Sequence, residues 1–425
     1  MNSMKGRGWA GMSLNLTISP RRREMYGALR TTEQSVSICD PTRAYGGYTL
    51  FAPHYGRDVW LIDMKGRVVH RWQMKHLPGG DGRLLPNGNL LRLNKTMKEP
   101  LLFFGSVSGE LVEIDWDGNV VWKHEDPYMH HDFFRMDNGN TMINRHVLMP
   151  RQIAAKVKGG IPGTELRDGM WSNGFQEIRP DGKVVWEWLG YEHMDPEIDI
   201  PCPLCPRTIW GYVNSLSILP EGDIVASFRH LNTIAIIDKR TGAITWRWGA
   251  PYELGHQHNP TVLPNGNILV FDNGYHRRTS REIAMIDYSR VVEVNPKTGD
   301  IEWEYKDENV QNFYSGICSS AERLPNGNTL ICESAKGRIL EVTAEKEIVW
   351  EFMSPFYYPW EGMGLTNLIF KAHRYGYEYE GFGEKELDPD RFEWLLREKG
   401  KPIPKEAEKK DMKEKARRRL KRLGY

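Results

Sequence analysis

The apolar and polar positions of this chain repeat in two short patterns. In the first, an alternating strand is followed across a turn by a glycine, an apolar pair and an aromatic end. It reads Val59-Trp60-Leu61-Ile62-Asp63 and then Gly66-Arg67-Val68-Val69-His70-Arg71-Trp72. The later half returns at residues 118–124, 182–188, 242–248, 299–305 and 346–352, which makes six copies. Alternation with period two marks half-buried strands, and the Asp/Asn/Lys-Gly steps between them mark hairpins.

The second pattern lies between these hairpins. It appears as Leu85-Pro86-Asn87-Gly88-Asn89, Met136-Asp137-Asn138-Gly139-Asn140 and Leu219-Pro220-Glu221-Gly222-Asp223. Residues 263–267 and 324–328 complete the set, each followed by an apolar run. Glycine there suits the positive-φ place of a turn. Each full unit is then four antiparallel strands, recurring every roughly 45 to 80 residues, and radial repetition of such units gives a β-propeller. The expectation is an all-β, six-bladed propeller over residues 43–375. An N-terminal extension (1–42) precedes it and a C-terminal extension (376–425) follows. The first blade lacks an inner strand of its own. Either 367–372 or 35–39 could supply it and close the ring. Residues 148–173, 189–211 and 274–288 exceed blade length and read as rim loops. Residues 405–422 hold ten Lys/Arg against four acids and read as a basic, solvated surface helix.

Aligning the five complete copies on the turn singles out where they differ. At the start of each innermost strand stand Gly80, His131, Asn214, His258 and Ser319. Their flanks are polar too: His130, Asp132, Tyr212, Ser215, His256, Asn259, Cys318 and Ser320. At the end of each second strand stand Lys95, His146, Arg229, Asn273 and Ser334, with Arg145, His230, His276, Arg277 and Arg278 beside them. Blade one offers His54 and Arg57. In an antiparallel blade these two ends share a face, so both sets should meet at one mouth of the channel. Eight of the 13 histidines fall there. Such a cationic mouth suits an anionic oxyacid, whose oxygens match arginine forks. Histidines converging on the axis could instead hold a transition metal: iron, copper or zinc on His130, His131, His256, His258 and His276. The W-x-W strands read as packing between blades.

Composition narrows the field. The 57 basic and 56 acidic side chains nearly cancel, which argues against a nucleic-acid or other polyanion binder. No run approaches the ~18 apolar residues of a membrane helix, and the first 25 residues do not read as a signal peptide, so a cytoplasmic location is expected. Cysteines in that compartment stay reduced. Cys202-Pro203-Leu204-Cys205 is a lone CxxC. A structural zinc site wants a second pair or histidines, so a Pro-stiffened loop is the plainer reading beside a metal or a disulfide. No Walker-type or Rossmann loop is present.

Several strings together resemble the bacterial arylsulfate sulfotransferase family. They are His131-Asp132 ahead of Asp137-Asn138-Gly139-Asn140, then Val213-Asn214-Ser215 and Ser227-Phe228-Arg229-His230. Gln257-His258, followed by Leu263-Pro264-Asn265-Gly266-Asn267 and Phe271-Asp272-Asn273-Gly274, is the most specific. The resemblance spans roughly residues 45 to 375. It implies a six-bladed propeller that moves a sulfuryl group from a phenolic sulfate ester to a phenol through a channel histidine, without a nucleotide donor or another cofactor. Carried onto this chain, His258 and His131 match histidine positions, and Arg277 or Arg278 sits where an arginine is expected. His130, Tyr212, Asn214, Arg229, His256, Asn273, Arg145 and Ser319 would line the substrate. Two departures are visible. Tyr212 stands where the family commonly has a histidine. The sixth blade offers Ser315, Cys318, Ser319 and Ser320 rather than a nucleophilic histidine, which leaves the relay to His258 or His131. A metal-dependent oxidative or lyase enzyme and a non-catalytic binding module stay open beside this reading.

Overall fold

The computed structural model describes residues 35–101, 105–277, 286–360 and 364–396. Strands dominate them. Arg151–Ala154 and Gly190–His193 are single α-helical turns. The first four-stranded unit joins Gly47–Pro53, Asp58–Ile62 and Val68–Gln73 to Ile369–Gly376 from the far end of the chain. The second holds Leu77–Leu84, Leu90–Lys95, Glu110–Ile114 and Val120–Glu125. Met129–Arg135, Thr141–Leu148, Trp171–Ile178 and Val184–Leu189 form the third. These two units merge into one eight-stranded sheet through a parallel pairing of Gly80 with His131. Val213–Ile218, Ile224–Phe228, Thr233–Ile237 and Ile244–Trp248 make the fourth. The fifth is His258–Val262, Ile268–Asp272, Arg290–Val294 and Ile301–Tyr305. Ser320–Arg323, Thr329–Glu333, Arg338–Val342 and Ile348–Met353 make the last, with Val36–Cys39 added at its outer edge. The architecture is all-β and propeller-like.

Two circuits hold the units together. The first strands touch in sequence: Leu77–Leu84, Met129–Arg135, Val213–Ile218, His258–Val262, Ser320–Arg323 and Ile369–Gly376, which returns to Leu77–Leu84. Farther out, indoles donate across the gaps. Trp72 Nε1 reaches the Asp115 carbonyl at 3.1 Å, Trp122 that of Pro180 at 2.7 Å, and Trp188 that of Gly242 at 2.9 Å. Trp248 reaches Gly299 at 3.0 Å and Trp303 reaches Ala344 at 2.9 Å. Trp350 reaches Met64 at 2.8 Å, back at the first unit. The aromatic strands are therefore packing between units, as their pattern predicts, and each ring also satisfies a turn carbonyl of the next unit.

Both candidate closing strands are used, in different places. Ile369–Gly376 is the inner strand of the first unit, while Val36–Cys39 pairs with Ile348–Met353. The fold thus reaches beyond residues 43–375 on both sides. Phe382 and Phe392 are buried against the first unit, because edge and core there need covering. The basic segment 405–422 lies outside the described residues. Among the described residues no helix is long and apolar enough to cross a membrane.

The hairpin turns follow the chemistry their sequences announce. Asp63 Oδ1 accepts from the amides of Lys65 and Arg67, both at 2.9 Å, while Gly66 takes φ +75°. The last hairpin puts Lys346 at that place with φ +73°. A side chain there is strained by about 1 kcal/mol relative to glycine. Lys346→Gly is expected to stabilise the chain by about that much, seen as a higher urea midpoint at unchanged m-value.

Candidate active site

The innermost strands are irregular where they meet the mouth. Register slips between Pro78 and Gly82, between Val213 and Ser215, and between His258 and Thr261. Left-handed backbone occurs at His131, Tyr212, His256, Asn259, Cys318 and Ser319. Non-glycine residues persist there only where surrounding structure enforces it, and such bulges re-aim side chains. The result is a buried polar layer that includes His130, His131, Asn214, His256 and His258.

His258 is held through one nitrogen. Its Nδ1 lies 2.7 Å from Asn273 Oδ1. Asn273 Nδ2 donates to the carbonyls of Ser315 at 2.7 Å and Cys318 at 3.0 Å, which fixes which end of the amide faces the ring. An amide oxygen only accepts, so His258 Nδ1 carries the proton and Nε2 keeps its lone pair. Burial, with Arg229 adding to it, holds His258 down to about 3, so the ring is neutral.

A second lone pair is assigned the same way. Asn144 Nδ2 donates to the Val213 carbonyl at 3.1 Å and lies 3.2 Å from His130 Nδ1. His130 Nδ1 therefore accepts. The proton between the two Nδ1 atoms of His130 and His131, 2.8 Å apart, belongs to His131. Burial pushes His131 well below its ordinary value, and His146, His258, Arg229 and His54 push the same way. Its ring meets Tyr212 edge-on at 5.2 Å, and His130 stacks on His146 at 3.7 Å. Burial raises the Tyr212 hydroxyl to about 12.

Arg229 is the common charge of this layer. It acts on His131, Tyr212, His230, His256, His258 and Cys318. Its guanidinium sits 5.9 Å from the Tyr275 ring, with no ion pair to a carboxylate among the described residues. Two neutral imidazoles with open Nε2 atoms and one uncompensated guanidinium suit an anionic group that is attacked and handed on.

The arylsulfotransferase (ASST) family model matches residues 83–354, well over half of the chain. The chain belongs to the arylsulfotransferase family. It is 23% identical over 354 residues to the arylsulfate sulfotransferase AssT of Escherichia coli O6:H1 (strain CFT073). That alignment takes in 64% of this chain and spans only 56% of the relative's length. A solved protein of unknown function from Bacteroides caccae superposes with a TM-score of 0.50 at 12% identity, over 77% of this chain and 98% of its own, and shows the fold alone.

Within this arylsulfotransferase-family chain, several expected site residues turn out to be bracing. Arg277 donates to Asp272 Oδ2 at 2.8 Å and lies over the Tyr288 ring at 4.3 Å. Arg290 shares that carboxylate at 2.8 Å. Arg145 is tied to Asp126 at 2.9 Å. Asn214 donates to the Gln257 carbonyl at 2.7 Å and so pins the strand that presents His258. Ser319 Oγ is knotted to Ser315 Oγ at 3.0 Å and accepts from the Ser334 amide at 3.2 Å. Spacing placed these residues at the right end of their strands but could not see the partners that hold them. Arg278 lies outside the described residues. The five histidines proposed as one axial metal set do not share a point: His130 and His131 bond each other, His258 bonds Asn273, and His256 and His276 face Cys202 and Cys205.

The axis itself is filled by charge, of which the turn alignment showed only Asp132. Lys371 Nζ, on the closing strand, donates to Asp132 Oδ2 at 2.8 Å and lies 3.6 Å from Asp81. Arg83 and His373 complete the knot on Asp81 at 2.7 and 3.0 Å. Aligning 367–372 as an inner strand would have exposed Lys371, the one charged residue of that run. A cleft of about 490 Å³ lies elsewhere, lined by Pro201, Cys202, Leu231, Trp248 and Pro251 among others, and takes in none of His131, Arg229 or His258.

Proposed function

We propose that this chain transfers a sulfuryl group from a phenolic sulfate ester to a phenol at the mouth of a six-bladed propeller, with His258 as the covalent relay. The tautomer lock on His258 carries this reading: Asn273 leaves Nε2, and only Nε2, available to attack. The closed circuits of first strands and indoles support the blade count. Family membership and the sulfotransferase relative support the group transferred.

In the first half-reaction the His258 Nε2 lone pair forms a bond to sulfur as the bond from sulfur to the aryl oxygen breaks. The phenolate leaves and takes its proton from solvent. The N-sulfo ring holds a positive charge, which its Nδ1–H shares with Asn273 Oδ1. Arg229 pairs with the sulfuryl oxygens as charge gathers on them. In the second half-reaction a phenol oxygen attacks sulfur and its proton passes to His131 Nε2, then to solvent. His258 leaves as neutral imidazole, ready to repeat.

Incubation with 4-nitrophenyl sulfate without acceptor, an alkaline quench and peptide mass spectrometry test this. A sulfo group is expected on the peptide that carries His258, lost on addition of phenol and absent from His258→Ala. Turnover with the adduct on His131, or with no adduct on any histidine, would show the relay assignment to be wrong.

A further inference from the structure

Two of the rim loops and the entrance to the fifth unit bring together four side chains that the proposed histidine relay does not use. Cys202 and Cys205 lie on the loop before the fourth unit. His256 stands at the entrance to the fifth, and His276 follows its second strand. Among the described residues this is the group of Cys, His and carboxylate side chains whose ligand atoms all lie within 4.8 Å of one another. Cys205 Sγ is 3.0 Å from His256 Nε2. His276 Nδ1 is 3.7 Å from Cys202 Sγ and 3.9 Å from Cys205 Sγ. In a tetrahedral zinc site with Zn–S near 2.3 Å and Zn–N near 2.0 Å, neighbouring ligand atoms stand about 3.5 Å apart. Both His276 distances fit that edge within a few tenths of an ångström. The Cys205–His256 contact must open by about half an ångström.

Three further observations point to a ligand here. Both cysteines are free thiols and buried, as is His256. His256 and His276 each sit in left-handed backbone, at φ +54° and +57°, a conformation that side chains adopt at a cost. The neighbouring backbone is also fixed: the Cys202 amide donates to the His230 carbonyl at 2.7 Å, and the His256 amide to Asn232 Oδ1 at 2.9 Å. Two cysteines and two histidines in a tetrahedral arrangement are a usual ligand set of structural zinc.

We propose that Cys202, Cys205, His256 and His276 bind one zinc ion as a closed structural site. Four protein ligands leave no open position for water or substrate, so the ion staples the loop of residues 195–211 to the fifth unit. His256 is two residues from His258, and the staple sets the entry of the strand that presents the relay histidine. The inference does not depend on what group the chain transfers.

Zinc stoichiometry and cobalt substitution on the full chain, purified under reducing conditions, test it. About one zinc per chain is expected by mass spectrometry of the metal. Apo protein titrated with Co²⁺ should show intense tetrahedral d–d bands and near-ultraviolet thiolate charge transfer that saturate at one equivalent. Cys205→Ser should lose the charge transfer from one sulfur and bind far more weakly, while Cys39→Ser should match wild type. Should Cys205→Ser not fold, the cobalt spectrum of wild type and of His276→Ala decides. A weak octahedral spectrum, no saturable binding, or a Cys202–Cys205 disulfide in the reduced preparation would overturn the proposal.

Discussion

His258→Ala is expected to lower kcat for 4-nitrophenyl sulfate turnover by at least ~10⁴-fold, the scale on which removing a covalent nucleophile acts. Its thermal midpoint should move little by comparison. His258→Gly opens a ring-sized space beside Asn273, and added imidazole should restore a measurable part of the rate. Arg229→Gln removes the charge meant for the sulfuryl oxygens and should cost about 10²-fold in kcat/KM, the usual effect of one transition-state donor. Arg277→Gln is the matched control. It disturbs Asp272, which also receives Arg290 and the amides of Gly255 and Gly274, so it should lower stability and leave kcat within about threefold of wild type. Equal losses from Arg229→Gln and Arg277→Gln would return Arg277 to the reacting group.

Repeats were the most readable part of this chain. A turn glycine and an aromatic strand end have one structural meaning each, so six hairpins could be counted from Gly66, Gly118, Gly182, Gly242, Gly299 and Lys346. Strand ends were readable because the turn sets their position: His131, His258 and Arg229 were found by counting from it. What a side chain does at that end depends on a partner from another unit. Arg277 and Arg229 look alike in sequence, yet Asp272 compensates one and no described carboxylate compensates the other. Cys202 and Cys205 show the same limit. Their second ligand pair does not follow in sequence; it lies 51 and 71 residues past Cys205, and only ring geometry brings it near. The closing strand hid Lys371 for a related reason, since it has no turn of the repeated kind to be aligned on.

The histidine layer should also make the fold acid-labile. His54 is held down to about 4 by burial, with Lys95 adding to it. Burial likewise holds His130, His131 and His146 well below the ordinary 6.5, each worsened by its neighbours: His131 for His130, His130 for His146, and His146, His258, Arg229 and His54 for His131. A depressed folded value means that the unfolded chain binds protons the folded chain refuses. Stability is therefore whole above about pH 6.5 and falls as pH drops toward the folded values. Four such groups give a limiting slope of about 5 kcal/mol per pH unit, against a total of about 5–15 kcal/mol for an ordinary domain. Cooperative unfolding near pH 5 is the expected outcome. His373 has the opposite sign. Burial opposes its charge, but Asp81 and Glu322 raise it to about 9. Its contribution is present below about pH 6.5 and lost as pH rises through 9. Urea unfolding between pH 4.5 and 9.5 should trace a dome with both shoulders set by histidines. His54→Phe keeps the stack on Phe370 and removes one refused proton, so it should flatten the acid shoulder by about one proton and leave the alkaline one alone. His373→Gln should do the reverse. Acid slopes that coincide for wild type and His54→Phe would mean the buried layer already takes up protons in the folded state.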